Sequence, residues 1–112
     1  MSKWTQKTRR GGARQFGTLP PPSDTDWIAS PGASGAIIIH RYNPIPLPAT
    51  QVEARYRLVA ATTWLYWTPQ QPDTWSITGL TPGATYEVQI SWWAPTARAS
   101  EYSASKTATA GS

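Results

Sequence analysis

Leu80-Thr81-Pro82-Gly83-Ala84-Thr85-Tyr86, running on into Glu87-Val88-Gln89-Ile90-Ser91-Trp92, is the stretch on which the fold turns. Pro82 presets φ for the first central position of a turn and Gly83 tolerates the positive φ that the second can require. Beyond the turn the side chains alternate. Tyr86, Val88, Ile90 and Trp92 fall on one face and Glu87, Gln89 and Trp93 on the other, the period of a half-buried strand. A tyrosine at the start of such a strand can bury its ring and turn its hydroxyl back to the backbone just upstream. That would pin the turn to the strand it feeds.

The rest of the chain is punctuated in the same manner. Among 112 residues there are 11 Pro and 8 Gly, with many Thr, Ser, Val, Ile, Trp and Tyr. This mix favours short strands and tight turns, and no window keeps apolar residues at helical spacing. A short, irregular first strand is expected within residues 18–34, around Trp27-Ile28 and after Pro20-Pro21-Pro22. Further strands are expected over Gly35–Tyr42, Val52–Val59, Thr63–Trp67, Thr74–Leu80, Thr85–Ala94 and Glu101–Thr109. Asn43–Pro48 reads as an extended loop, Ala60-Ala61 as a short link and Pro69–Pro72 as a second loop. Seven strands in a chain of this length predict an all-β sandwich with one core.

Leu80, Pro82, Gly83 and Tyr86 form the pattern Leu-x-Pro-Gly-x-x-Tyr, the tyrosine corner, and with it residues 18–110 resemble a fibronectin type III domain. The resemblance implies a seven-stranded sandwich with Trp75, Ile77, Leu80, Tyr86, Val88 and Ile90 inward. Tyr56 and Leu58 match the Tyr-x-aliphatic pattern of the third strand. Tyr42 stands where these domains usually carry an inward Trp. That alignment puts Ile38, His40 and Tyr42 inside, whereas the opposite phase puts Ile37, Ile39 and Arg41 there. A one-residue slip exchanges the two faces, so the pattern leaves both open. There is no Arg-Gly-Asp tripeptide, so integrin binding is not implied.

The formal charge of +4 is unevenly placed. Lys3, Lys7, Arg9, Arg10 and Arg14 precede the first acid, Asp24; the remainder sets five cations against six acids, a balance of −1. The chain therefore divides into a basic arm (1–17), a near-neutral sandwich (18–110) and a short tail (111–112). The arm is too polar to offset its own ordering entropy, with Trp4 and Phe16 as its only large apolar groups. A protein partner is expected to hold it, the two aromatics as anchors and the cations against an acidic groove. A solvated tail that binds nothing is the next expectation, and nucleic acid is the weakest for the same cations, because no base-reading module follows.

Little in the sequence points to catalysis. The chain has no cysteine, which excludes disulfides and thiolate metal sites. His40, the single histidine, has no evident nucleophile or orienting partner and reads as a half-buried strand residue. Asp24-Thr25-Asp26 offers too few oxygens for calcium and reads as turn chemistry. Arg10-Gly11-Gly12-Ala13 precedes no strand–helix unit, so it is not a phosphate loop. The expectation is a protein that is not an enzyme and has no cofactor.

Binding surfaces are the better prospect. In this fold the third and sixth strands are neighbours, which would place Arg55, Arg57, Glu87, Gln89 and Trp93 on one outer face. The fourth strand adds Trp64 and Tyr66, or Leu65 and Trp67. Arg55, Arg57, Trp64, Tyr66 and Trp93 are the candidate patch, able to stack on sugars and bond hydroxyls or carboxylates. The competing readings are cross-strand pairing with no ligand and a contact between subunits. The longest aliphatic run, Ala36–Ile39, is far too short to span a membrane, and Gly11–Pro22 offers no apolar core of a secretory signal. Immunoglobulin-like and fibronectin-like domains are accessories of tailed-phage particles. The resemblance thus implies a virion protein (decoration, head fibre or tail accessory), made in the host cytoplasm. Its expected partners are capsid or tail proteins, in a homo- or hetero-oligomeric assembly, and host-surface glycans. The alternative is an extracellular carbohydrate- or surface-binding spacer of a secreted bacterial protein.

Overall fold

A computed structural model describes residues 19–95 and 97–112, so the expectations for the basic arm fall outside the described residues. Two antiparallel sheets pack face to face. One has three strands in the order β1-β2-β5, from β1 (Trp27–Pro31), β2 (Ile37–Arg41) and β5 (Thr74–Ile77). The other contains β3 (Gln51–Leu58), β4 (Leu65–Gln70), β6 (Thr85–Ala94), β7 (Ala97–Arg98) and β8 (Lys106–Thr109). Its order is β4-β3-β6-β7, with β8 also beside β6. β7 and β8 are two pieces of one interrupted edge strand, so the sandwich has seven strands in effect.

The interruption has a clear chemical cause. Ala99 N–H still donates to Trp92 O at 2.8 Å and Ser103 N–H to Ile90 O at 2.8 Å. The return bonds, however, go to serine hydroxyls: Trp92 N–H to Ser100 Oγ (2.9 Å) and Ile90 N–H to Ser103 Oγ (3.1 Å). Side chains thus satisfy buried β6 amides where the partner backbone has bulged away. This corrects the expectation of one regular strand over Glu101–Thr109.

The corner forms as the sequence predicts. Tyr86 is buried, and Thr81 N–H donates to Tyr86 Oη at 2.9 Å. Gly83 has φ of 78°, the left-handed conformation that disfavours any residue with a Cβ. Gly83 N–H donates to Ala110 O and Ala110 N–H to Ala84 O, so the turn is also latched to the end of the chain.

The core lies between the sheets and includes Trp75, Ile77, Leu80, Val88, Ile90 and Trp92. In β2 the phase is settled: Ile37 and Ile39 are buried, while His40 is half-buried on the outer face with Nδ1 2.6 Å from Thr74 Oγ1. Tyr42 is 57% exposed, and the most deeply buried indole of the core is that of Trp27, opposite Arg41 in the β1–β2 register and 1% exposed. Asp24 is exposed, and Asp26 serves the turn before β1, accepting from Ser23 N–H at 2.8 Å and Asn43 Nδ2 at 2.7 Å.

β4 runs on to Gln70, past the expected end at Trp67. Val52 pairs with Gln70 and Ala54 with Trp67, so Thr68 and Pro69 together oppose Glu53. A bulge of this kind accommodates a proline, which cannot donate to the ladder.

Candidate interaction face

The outer face of the five-stranded sheet is built by register. β3 and β6 pair Arg55 with Gln89, Arg57 with Glu87 and Gln51 with Trp93, while β3 and β4 pair Arg55 with Tyr66. Arg55 Nε donates to Gln89 Oε1 at 2.8 Å and Arg57 Nε to Glu87 Oε1 at 2.8 Å. Both arginines therefore lie flat along the sheet with their guanidinium planes open to stacking.

Trp64, one residue before β4, covers both of them. Its ring centre is 4.0 Å from the Arg57 guanidinium carbon and 4.5 Å from that of Arg55. On the other side Arg55 stacks on Tyr102 at 4.1 Å, and Tyr102 stacks in turn on Arg98 at 5.0 Å. Cations and rings alternate across the sheet, and each such contact contributes about 0.5–1 kcal/mol at a partly exposed site. Tyr102 Oη donates to Glu53 Oε1, which fixes the ring. Burial first, then the bonded Glu53 carboxylate, holds the Tyr102 phenol well above the usual tyrosine range.

Four of the five patch residues, Arg55, Arg57, Trp64 and Tyr66, come together here. Trp93 lies on the same face further along β6, paired with Gln51 and Arg98, and is half-buried. Tyr102 is the member that sequence reasoning missed, because a regular last strand gave it no reason to cross the face. The pair Ser100 and Ser103 was the available signal, since serine hydroxyls beside a strand can replace ladder bonds. Chemically, the stack occupies the ring faces of Trp64 and Tyr102. The ring of Tyr66, 59% exposed, remains open to solvent.

Among the described residues the surface holds no ligand-sized cavity, and no three His, Cys, Asp or Glu residues sit close enough to hold a metal ion. Among them, too, no helix is long and apolar enough to cross a membrane.

This architecture is that of a fibronectin type III domain. The chain is similar in structure to the FN5 domain of Drosophila Lar, with a TM-score of 0.64 and 16% identity over 82% of this chain and 98% of that one. It is similar also to the FN3 domain of human collagen XX, with a TM-score of 0.62 and 16% identity over 88% of this chain and 98% of that one. A solved myokine gives a TM-score of 0.63 at 6% identity, over 80% and 95% of the two chains. At these identities the likeness is one of fold. No protein-family model matches the sequence, and no curated protein is significantly similar to it.

Proposed function

We propose that this chain is a non-catalytic structural or accessory protein of a tailed-phage virion, displaying its sandwich outward and fixed to capsid or tail proteins through residues 1–17. The observation that carries this reading is the segregation of charge. Five cations precede a sandwich whose own balance is −1. Such a division suits an anchor joined to a neutral display domain, because the part that binds and the part that projects have different electrostatics. Lys3, Trp4, Lys7, Arg9, Arg10, Arg14 and Phe16 are the anchoring side chains. The layered face around Arg55 and Tyr66 makes weak contacts, and many copies on one particle turn weak contacts into avidity.

The test is sedimentation of a lysate of the native producer, with mass spectrometry of the fraction holding DNA-filled particles. Stoichiometric recovery there, resistant to high salt, is expected, and its ratio to the shell protein distinguishes head from tail. Recovery only as a soluble species overturns the virion assignment. The second reading, an extracellular carbohydrate-binding spacer, is favoured by the exposed Tyr66 beside Arg55. It predicts glycan binding by the free protein that is lost in Tyr66→Ala and in Trp93→Ala.

A further inference from the structure

The four sheet edges of the sandwich are not equally protected. β5 has only four residues and follows Asp73. β1 ends on Pro31, and the turn after it is held by Gly35 N–H donating to Gly111 O at 2.7 Å. The β7–β8 edge is interrupted, carries Arg98 and Lys106, and is partly covered by Leu19, which pairs with Ser100. β4 is different. It has six residues, and among the described residues its protection is Pro69 with the accompanying bulge at the far end.

Natural sheets blunt such edges with charges, above all lysine. Here the opposite holds: the 15 residues from Leu58 to Pro72 contain no Asp, Glu, Lys or Arg. Large apolar side chains stand in solvent along this hairpin, with Leu58 45%, Val59 49%, Leu65 54% and Tyr66 59% exposed. Leu58 and Leu65 have the inward phase of their strands, yet the described residues leave each about half exposed.

We propose that the β4 edge is a self-association surface, on which a second copy of this chain pairs its own β4 antiparallel across a twofold axis. The charge pattern selects this occupant. A twofold contact sets the strip against a copy of itself, so a strip carrying one sign of charge would repel its copy, whereas an uncharged apolar one does not. Residues 1–17 do not suit it, since their five cations would meet no acid along the strip. A register centred near Tyr66 keeps Pro69 at the rim and joins two five-stranded sheets into one. The exposed apolar side chains offer on the order of 400 Å² per copy, about half of what a stable interface buries per partner. The dimer is therefore weak in free solution, with a dissociation constant of roughly 100 µM.

Sedimentation equilibrium of the full chain from about 10 µM to about 1 mM tests this, the range bracketing that constant. The wild type is expected to pass from monomer to dimer. Leu65→Lys should weaken association at least tenfold, and Leu47→Lys, the same change at a loop leucine that is 83% exposed, should leave it intact. Because the chain has no cysteine, Tyr66→Cys gives an independent readout: it should oxidise to a covalent dimer, while Leu47→Cys should not. A wild type that stays monomeric at about 1 mM, or a Leu65→Lys variant that dimerises like it, overturns the proposal. So does hydrogen-exchange protection of the outward β4 amides in dilute monomer, which would mean that the chain's own residues cover the edge.

Discussion

Replacing Tyr86 by Phe removes a single oxygen from the corner and leaves the buried ring in place. That oxygen accepts the Thr81 N–H at 2.9 Å. Loss of a hydrogen bond of this kind costs about 0.5–1.5 kcal/mol, and more when the donor left behind is fully buried. Thr81 is exposed, so water partly replaces the lost acceptor, and about 1 kcal/mol is expected. For a domain of this size that is roughly 4–8 °C in Tm. Tyr56 supplies a matched control. Its ring lies 6.4 Å from that of Tyr86 in the same core, and its hydroxyl has no hydrogen-bond partner among the described residues. Tyr56→Phe should therefore shift Tm by less than about 2 °C on the same scale. Urea unfolding followed by tryptophan fluorescence and by circular dichroism gives both values, with an unchanged m-value as the check that only stability has moved. Equal losses in the two variants would refute the argument, because the bond to Thr81 would then contribute nothing that a bare hydroxyl does not.

Other outcomes follow from the same structure. Ser103→Ala should cost roughly 1–3 kcal/mol in urea unfolding, because it leaves the buried Ile90 N–H without its acceptor. Gly35→Ala should be costlier than the corresponding change at Gly83. Both have positive φ, but only at Gly35 would the new Cβ meet backbone, 2.7 Å from Leu80 O, and thermal melts of the two variants compare them directly. Trp64→Ala should cost about 1 kcal/mol, the combined loss of two partly exposed guanidinium contacts, read by the same denaturation. Tyr102 adds a pH dependence. Its folded pKa lies above the unfolded value, so its contribution is fully present below about pH 10 and is lost as pH rises beyond that. Melting temperatures of wild type and Tyr102→Phe should accordingly converge at alkaline pH, after correction for the remaining tyrosines.

The parts of the fold that could be read from the chain are those where one physical requirement selects one residue type. Pro82, Gly83 and Tyr86 fixed the corner, and the strict alternation from Tyr86 to Trp92 fixed the face and register of β6. Where two arrangements satisfy the same pattern, the chain was silent. Ile37-Ile38-Ile39 fits either phase of a strand, and only the packed core, in which Ile37, Ile39 and Trp27 are buried together, distinguishes the two. The break between β7 and β8 escaped notice because Ser100 and Ser103 act through backbone bonds, which leave no periodic trace. The candidate face was partly legible for the same reasons. Strand neighbourhood predicts that Arg55 and Arg57 lie beside Gln89 and Glu87, but Tyr102 enters only through the irregular segment.

The stacked face and the bare edge meet at β4, and their chemistry differs in a way that bears on both proposals. On the outer face each arginine is already bonded through Nε and stacked, so a ligand there meets the edges of the stack and the exposed ring of Tyr66. At the rim, Leu65 and Tyr66 are more than half exposed, and the outward edge of β4 pairs with no other strand among the described residues. Pairing two β4 strands would bring two copies of the face side by side in one continuous sheet, with each Tyr66 close to the twofold axis. A weak contact made by one face would then be made twice by a rigid unit, and avidity would depend on the edge as well as on the patch. Leu65→Lys should thus reduce adhesion to a multivalent surface even though it leaves Arg55 and Trp64 in place. An adhesion assay that returns wild-type binding for a strictly monomeric Leu65→Lys would separate the two surfaces, leaving the face to act alone.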